Sequence, residues 1–296
     1  MKLYSYYLCL AVSITATTLT GCTADDTVDL SPRQGERVIS LRSTVQTTRT
    51  TSDLQSAGAN IANGIQIGAF GVVAGGATIT NGVNNKYTAD GSGGLSASQE
   101  MSSADGSVII YAYAPYQNSW SAYNTANGFS VRTDQSSDAD YLASDLLYAS
   151  TTTTTGSASL SFTHKLSRVC LTITNSTGAD LSGVTVKVLG TKTSTTLRLS
   201  DGALGEASGE TSDITLASNI SIAAGGKQTV YGIVVPRQTV AAHTELFSIH
   251  YGEKTVYWKL GDAAVTFISN NSYKASIDIE PNTISGTISV ATTPGL

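Results

Sequence analysis

Short runs that alternate apolar and polar residues, each closed by Gly, Pro, Asn or Asp, recur along almost the whole chain. Residues 38–45 place Ile39, Leu41 and Val45 in one period-two phase, and residues 65–70 alternate in the same way. That spacing puts apolar side chains on one face of an extended strand and polar ones on the other. Residues 107–114 form the strongest run of the first half and stop at Pro115, which has no N–H for a ladder. A weaker run at 129–131 and a further one at 145–149 follow. Gly75-Gly76, Asn81-Gly82 and the stretch 90–94 carry turn chemistry. Beyond residue 156 the runs crowd together: 160–166 with Leu160, Phe162 and Leu166 in phase, then 168–174, 184–188, 194–199, 214–216, 229–235, 245–251, 255–260 and 272–279. Gly252-Glu253 reads as a tight hairpin loop and Pro236 as a stop. No long segment has a 3.6-residue apolar period. Many short strands between turn residues specify an all-β chain folded as Greek-key sandwiches. The five threonines at 151–155 read as a linker between two domains, or else as an edge strand.

The first residues constrain location. Lys2 is followed by a short apolar stretch through Val12, small and polar residues, and Leu19-Thr20-Gly21-Cys22. A charged start, a short apolar region and small residues before a cut describe a secretory signal peptide. The apolar part is shorter than the roughly 20 residues a membrane span needs. Leu-x-Gly-Cys resembles the bacterial lipobox, in which the cysteine is acylated and becomes the first residue of the exported chain; the other reading is an ordinary signal in which Cys22 is incidental. A multiply acylated Cys22 would hold the protein on a membrane, since each buried acyl CH₂ contributes about 0.8 kcal/mol. The chain from Cys22 onward has about 275 residues, enough for one large or two ordinary domains.

Composition excludes several functions. Net charge is −5, only 13% of residues are charged, and there is no basic stretch to follow a phosphate backbone, so nucleic acid is not an expected partner. With Cys9 in the signal, Cys22 and Cys170 remain, which leaves no intramolecular disulfide if Cys22 is acylated. Cys170, in an apolar run, is expected to be a buried small hydrophobe. Of the three histidines, His164 alternates with apolar neighbours, and His243 and His250 are seven residues apart. His243, His250 and an acid form a weak zinc candidate. There is no Gly-x-Ser-x-Gly elbow, and the glycines at 91–94 open no helix. Asp134, Asp138 and Asp140 are loosely spaced like calcium ligands, but lack the glycine and closing glutamate of an EF-hand and read equally as a solvated loop. No catalytic residue, metal or cofactor is marked.

Several segments together resemble the fimbrillins of the Bacteroidales, the lipoprotein subunits of type V pili. They are the Leu-Thr-Gly-Cys lipobox, residues 145–149 shortly before 160–169, residues 233–238 leading to the hairpin with Tyr257, Trp258 and Leu260, and Phe267 followed by Asn271, Tyr273 and residues 277–279. The resemblance implies two tandem transthyretin-like β-sandwich domains and the role of a pilus subunit or surface adhesin rather than an enzyme. The expected division is a signal peptide at 1–21, a polar tether at 22–37, an N-terminal sandwich at 38–155 and a C-terminal sandwich at 156–296.

The resemblance also implies export as an outer-membrane lipoprotein, followed by loss of the first strand to an arginine-specific protease. The emptied groove would take a strand from another pilin subunit by β-strand addition. The removable strand is then the one carrying Ile39, Leu41 and Val45. Arg49, in a polar threonine-rich segment just beyond, is the favoured cleavage site over Arg42, which lies within the strand; without the resemblance Arg49 reads as an ordinary loop arginine. The C-terminal run with Ile284, Ile288 and Val290 on one face is the candidate donor, or else the last strand of its own domain. Burying three such side chains could contribute on the order of 5 kcal/mol before ordering costs. The tail 292–296 fits a stalk, anchor or tip subunit alike, and an adhesin would also meet a host or bacterial surface receptor. Two other readings stand beside this one. A surface glycan-binding lipoprotein would use the aromatic cluster of Trp120 with Tyr113, Tyr116 and Tyr123. A secreted hydrolase would need a polar pocket that no motif marks.

Overall fold

The computed structural model describes residues 35–46, 60–104 and 106–291. Cys22, Arg49 and the tail 292–296 lie outside the described residues. In chain order the elements are β1 (Arg37–Val45), β2 (Gln66–Val73), β3 (Asn85–Ala89), β4 (Gly94–Ala97), β5 (Met101–Ser103), β6 (Val108–Ala114), β7 (Asn127–Ser130) and α1 (Asp138–Ser144). They continue as β8 (Leu147–Thr153), β9 (Ser157–His164), β10 (Ser167–Asn175), β11 (Leu181–Arg198), β12 (Ala203–Leu204), β13 (Ser208–Ile222) and β14 (Lys227–Val234). The last are β15 (Gln238–Val240), β16 (Glu245–Tyr251), β17 (Lys254–Lys259), β18 (Val265–Phe267), β19 (Ser272–Ile279) and β20 (Ile284–Ala291). The all-β class expected from the alternation is observed. Gly252 and Glu253 join β16 to β17 as a hairpin loop.

Eight strands form the first sheet, in the order β4-β3-β2-β6-β8-β9-β1-β5, and β1 also pairs with β4. The sheet thereby closes into a barrel-like ring. Its interior is apolar, with Ile39, Leu41, Ile67, Val108, Ile110, Leu147, Leu160 and Phe162 among its members. A second core lies between a four-stranded sheet, β14-β10-β19-β20, and a six-stranded one built on β11. β6 explains why its sequence is apolar almost without interruption: Val108, Ile110 and Ala112 face the ring, whereas Tyr111 and Tyr113 join the second core. A strand covered on both faces does not alternate.

Two boundaries differ from the sequence expectation. The threonine run is not a linker: Thr151, Thr152 and Thr153 continue β8 and pair with Ile110, Ile109 and Val108. Residues 157–164 do not open the second sandwich. They form β9, which pairs with β1 and β8 of the first sheet. Conversely β7 pairs with β11, so residues 127–130 of the first half add a strand to the second sheet system. The junction lies in the segments that carried the family resemblance. Leu146 belongs to the second core and its neighbour Leu147 to the first. His164 Nδ1 stands 2.9 Å from Asp145, both groups fully buried, tying the end of α1 to the end of β9. Ser137 caps α1, its Oγ accepting from the Asp140 amide at 3.1 Å. Cys170 is partly exposed rather than buried, because it falls on the outward phase of β10.

Trp120 and Tyr113 of the aromatic cluster are core, whereas Tyr116 and Tyr123 are half-buried. Trp120 is 3% exposed and stacks on the fully buried Tyr113 with centroids 4.0 Å apart. The Tyr113 ring lies over Gly68, where a Cβ would stand 2.3 Å from the ring. Replacing Gly68 with Ala is expected to displace the stack and cost about 1–3 kcal/mol, as overpacking of a filled core does. Urea unfolding followed by tryptophan fluorescence measures this; an unchanged midpoint would show that the stack has room to move.

Candidate functional site

β1 runs through the middle of the first sheet and is bonded on both sides. Along one edge it lies parallel to β9, from Ser40 opposite Ser157 to Val45 opposite Phe162. Along the other it runs antiparallel to β5 (Ile39 opposite Met101) and then to β4 (Leu41 opposite Leu95). Bonds beside these ladders include Ser40 N to the Gly156 carbonyl at 3.0 Å, Ser43 N to Gly93 at 2.8 Å and Gln46 N to Phe162 at 2.8 Å. The side chains alternate as a half-buried strand requires. Ile39, Leu41, Ser43 and Val45 point into the ring and are at most 2% exposed, whereas Val38, Ser40, Arg42 and Thr44 face outward. The three aliphatic members assigned from sequence therefore do share one buried face. Burying those three side chains contributes roughly 4.5–9 kcal/mol, at about 1.5–3 kcal/mol per fully buried aliphatic side chain.

Two features escaped the sequence. Ser43 is buried and its Oγ has no hydrogen-bond partner, so the third inward position is filled by a small side chain and does not demand a polar group. The second is a clasp ahead of the strand. The Glu36 carboxylate accepts from Ser102 Oγ at 2.6 Å and Thr80 Oγ1 at 3.0 Å, and Arg37 Nη2 donates to the Gly106 carbonyl at 3.1 Å. The partners come from loops and from β5, too short a strand to show a period in sequence. The turn at 90–94 forms as its residues suggest: Asp90 Oδ1 accepts from the amides of Ser92 at 2.7 Å and Gly94 at 2.9 Å, aiming β4 back toward β1.

Tyr87 supports the wall of this groove. Its hydroxyl accepts from the Met101 amide at 3.2 Å, and burial raises its pKa, as it does that of Tyr113. A phenol whose folded pKa is raised keeps its full contribution below the unfolded value near 10 and loses it as pH rises further. Stability is therefore expected to fall steeply above pH 10, and Tyr87→Phe should flatten that fall. Equal slopes for wild type and variant in denaturant titrations at pH 9 to 11 would rule Tyr87 out as the cause.

β20 is held quite differently. It pairs along its whole length with β19, from Ile279 opposite Ile284 to Ser272 opposite Ala291, and ends the four-stranded sheet. Ile284 and Ile288 are only partly buried against the second core, and Val290 is 45% exposed. Gly286 allows the strand to lie close, since a Cβ there would meet the Ser276 carbonyl at 2.5 Å and Trp258 Nε1 at 2.8 Å. The groove and the strand are thus separate places: one strand locked in the first ring, the other laid on an edge.

The remaining candidates do not converge. His243 is exposed and 3.6 Å from Asp262, and His250 Nδ1 lies 3.0 Å from Thr255 Oγ1 on an exposed strand face. Among the described residues no group of three His, Cys, Asp or Glu side chains is placed to hold a metal. Asp134 accepts from the amide and hydroxyl of Ser136, which lowers its pKa, and Asp140 accepts from Ser137 Oγ, so these carboxylates shape the loop before α1.

No curated protein is significantly similar to the chain. Among solved structures it is similar to a candidate cell adhesion protein from Bacteroides ovatus ATCC 8483, with 16% identity over 88% of this chain and 99% of that one and a TM-score of 0.66. A candidate cell adhesion protein from Bacteroides uniformis ATCC 8492 matches with 23% identity, the same coverages and a TM-score of 0.64. One from Bacteroides fragilis NCTC 9343 matches with 12% identity over 88% and 98% and a TM-score of 0.52. At these identities the likeness is one of fold. A model of the fimbrillin-like family matches residues 48–294, most of the chain. The chain belongs to the fimbrillin-like family.

Proposed function

We propose that this protein is a structural subunit of a cell-surface fimbria, exported as a lipoprotein through Cys22 and polymerised after loss of β1. The observation that carries the reading is the placement of β1. It is the first described strand, it closes the ring, and it buries one apolar face between β9 and the short β4 and β5. A cut at Arg49 would sever it from the body four residues after its end, leaving only noncovalent bonds to hold it. Its departure would leave an apolar groove with unpaired backbone on both walls, the situation that β-strand addition resolves. β20, with one ladder and a half-exposed apolar face, is the strand best suited to leave its own edge and fill the groove of a second subunit. On this reading the two sheet systems are the tandem sandwiches of the family, and the partners are other pilin subunits, an arginine-specific protease and, before processing, the outer membrane. Cell adhesion proteins of like fold support a surface role. A glycan platform of Trp120, Tyr113, Tyr116 and Tyr123 is disfavoured, since Trp120 and Tyr113 are core residues and only the half-buried Tyr116 and Tyr123 are left to meet a sugar.

The test is digestion of the purified precursor with an arginine-specific protease, with N-terminal sequencing and size analysis of the product. Cleavage after Arg49 should give oligomer ladders that survive mild denaturant, and Arg49→Ala should stay uncut and monomeric. A product that is cut there yet remains monomeric would defeat strand exchange.

A further inference from the structure

We infer that the incoming strand enters in the direction opposite to β1, with Val290, Ile288, Gly286 and Ile284 taking the places of Ile39, Leu41, Ser43 and Val45. The inference rests on the strand-exchange reading and adds to it a polarity and a register. Read along β1, the inward positions are large, large, small, large, and all four are buried. Read along β20, the corresponding face is Ile284, Gly286, Ile288, Val290, that is large, small, large, large. The two patterns coincide only when one is reversed. Side-chain phase survives the reversal because the period is two in either direction.

The forward alignments fit less well. Ile284 in the place of Ile39 would put Gly286 in the Leu41 slot, a cavity at the centre of the strand, and Ile288 in the place of the much smaller Ser43. Setting Gly286 on the Ser43 slot would bring Asn282 into the place of the fully buried Ile39, an amide without partners. Sliding further, to Ile288 in the place of Ile39, puts Thr292 in a slot that holds a serine and Pro294 in that of Val45. In the reversed register Gly286 loses nothing by replacing Ser43, whose hydroxyl makes no hydrogen bond.

The ladders allow the same direction. β1 pairs with β9 in parallel over residues 40–45, whereas its antiparallel contacts with β4 and β5 cover only 41–42 and 37–39. A reversed strand converts the longest ladder to the antiparallel form, whose bonds are better aligned. The five antiparallel positions toward β4 and β5 become parallel in return, so the ladders come out close to even and the slot pattern sets the direction. Gly286 serves twice: it seats β20 against Trp258 in the free subunit and fits the small slot in the polymer.

Disulfide trapping reads the register. Two precursors are prepared, one with Ala158→Cys and Ile288→Cys, the other with Met101→Cys and Val290→Cys, cut with the arginine-specific protease and run without reductant. Ala158 stands opposite Leu41 and Met101 opposite Ile39, so cysteines there sit within bridging distance of whatever side chain fills each slot. Both pairs should give covalent ladders that collapse with reductant, while the swapped pairs Ala158→Cys with Val290→Cys and Met101→Cys with Ile288→Cys should not. Linkage in the swapped pairs, or polymers that none of the first pairs traps, would overturn the reversed register. Wild-type chains that fail to polymerise after cutting would remove the exchange reading itself, and the register with it. Each precursor is checked for an unchanged melting profile first, and Leu95→Cys, also opposite Leu41, replaces Ala158→Cys if that variant misfolds. Cys170, partly exposed on β10, sets the background through the wild-type chain.

Discussion

Replacing Leu41 with Asp should lower the unfolding free energy of the intact chain by at least about 4 kcal/mol, enough to unfold a marginal domain. Leu41 is 2% exposed at the centre of β1 and faces Leu95 and Ala158 across the two ladders. Losing its burial accounts for about 1.5–3 kcal/mol, and desolvating a carboxyl without a partner adds a comparable or larger amount. The outward neighbour controls for backbone and charge: Arg42→Asp should shift stability by no more than about 0.5 kcal/mol, because Arg42 projects into solvent. Urea unfolding of both variants decides the matter. If Leu41→Asp and Arg42→Asp behave alike, β1 does not close the ring in solution, and its removal cannot open a groove.

A chain ended after Asn282 should still fold, about 2–4 kcal/mol less stable than the parent, yet lose all capacity to polymerise after the cut at Arg49. The modest cost follows from how β20 is held. Ile284 and Ile288 are partly buried, Val290 is largely in water, and the strand has one ladder rather than two. Two half-buried aliphatic side chains contribute about 2 kcal/mol, and the lost β19 ladder a little more. The loss of assembly should be complete because the truncation removes the whole donor strand, Ile284, Ile288 and Val290 included. Truncated, cut protein that still forms ladders on size-exclusion chromatography would transfer the donor role elsewhere.

The sites of the two predictions were unequally legible. The phase of Ile39, Leu41 and Val45 is local, since period two is a property of the extended backbone, and it was readable from residues 38–45 alone. The same holds for the phase of Ile284, Ile288 and Val290. The slot at Ser43 was not readable, because a serine among alternating residues looks the same whether its hydroxyl is solvated or sealed in a ring. Nor could the clasp of Glu36 with Ser102 and Thr80 be found: it joins groups separated by 66 and 44 residues through a three-residue strand.

Sequence alone determined that this chain is all-β, where most of its strands run, and the apolar phase of β1 and β20. Those are consequences of side-chain period and of the turn chemistry of Gly, Pro and Asp, which act over a few residues. The tertiary structure decided which strands share a sheet. The threonines at 151–155 could equally be linker or strand until Thr152 and Thr153 met Ile109 and Val108, and β9 could pair with either half until it lay beside β1. Trp120 and Tyr113 became core rather than surface for the same reason. Partner choice between strands depends on buried surface gathered from across the chain, and no local pattern carries that information.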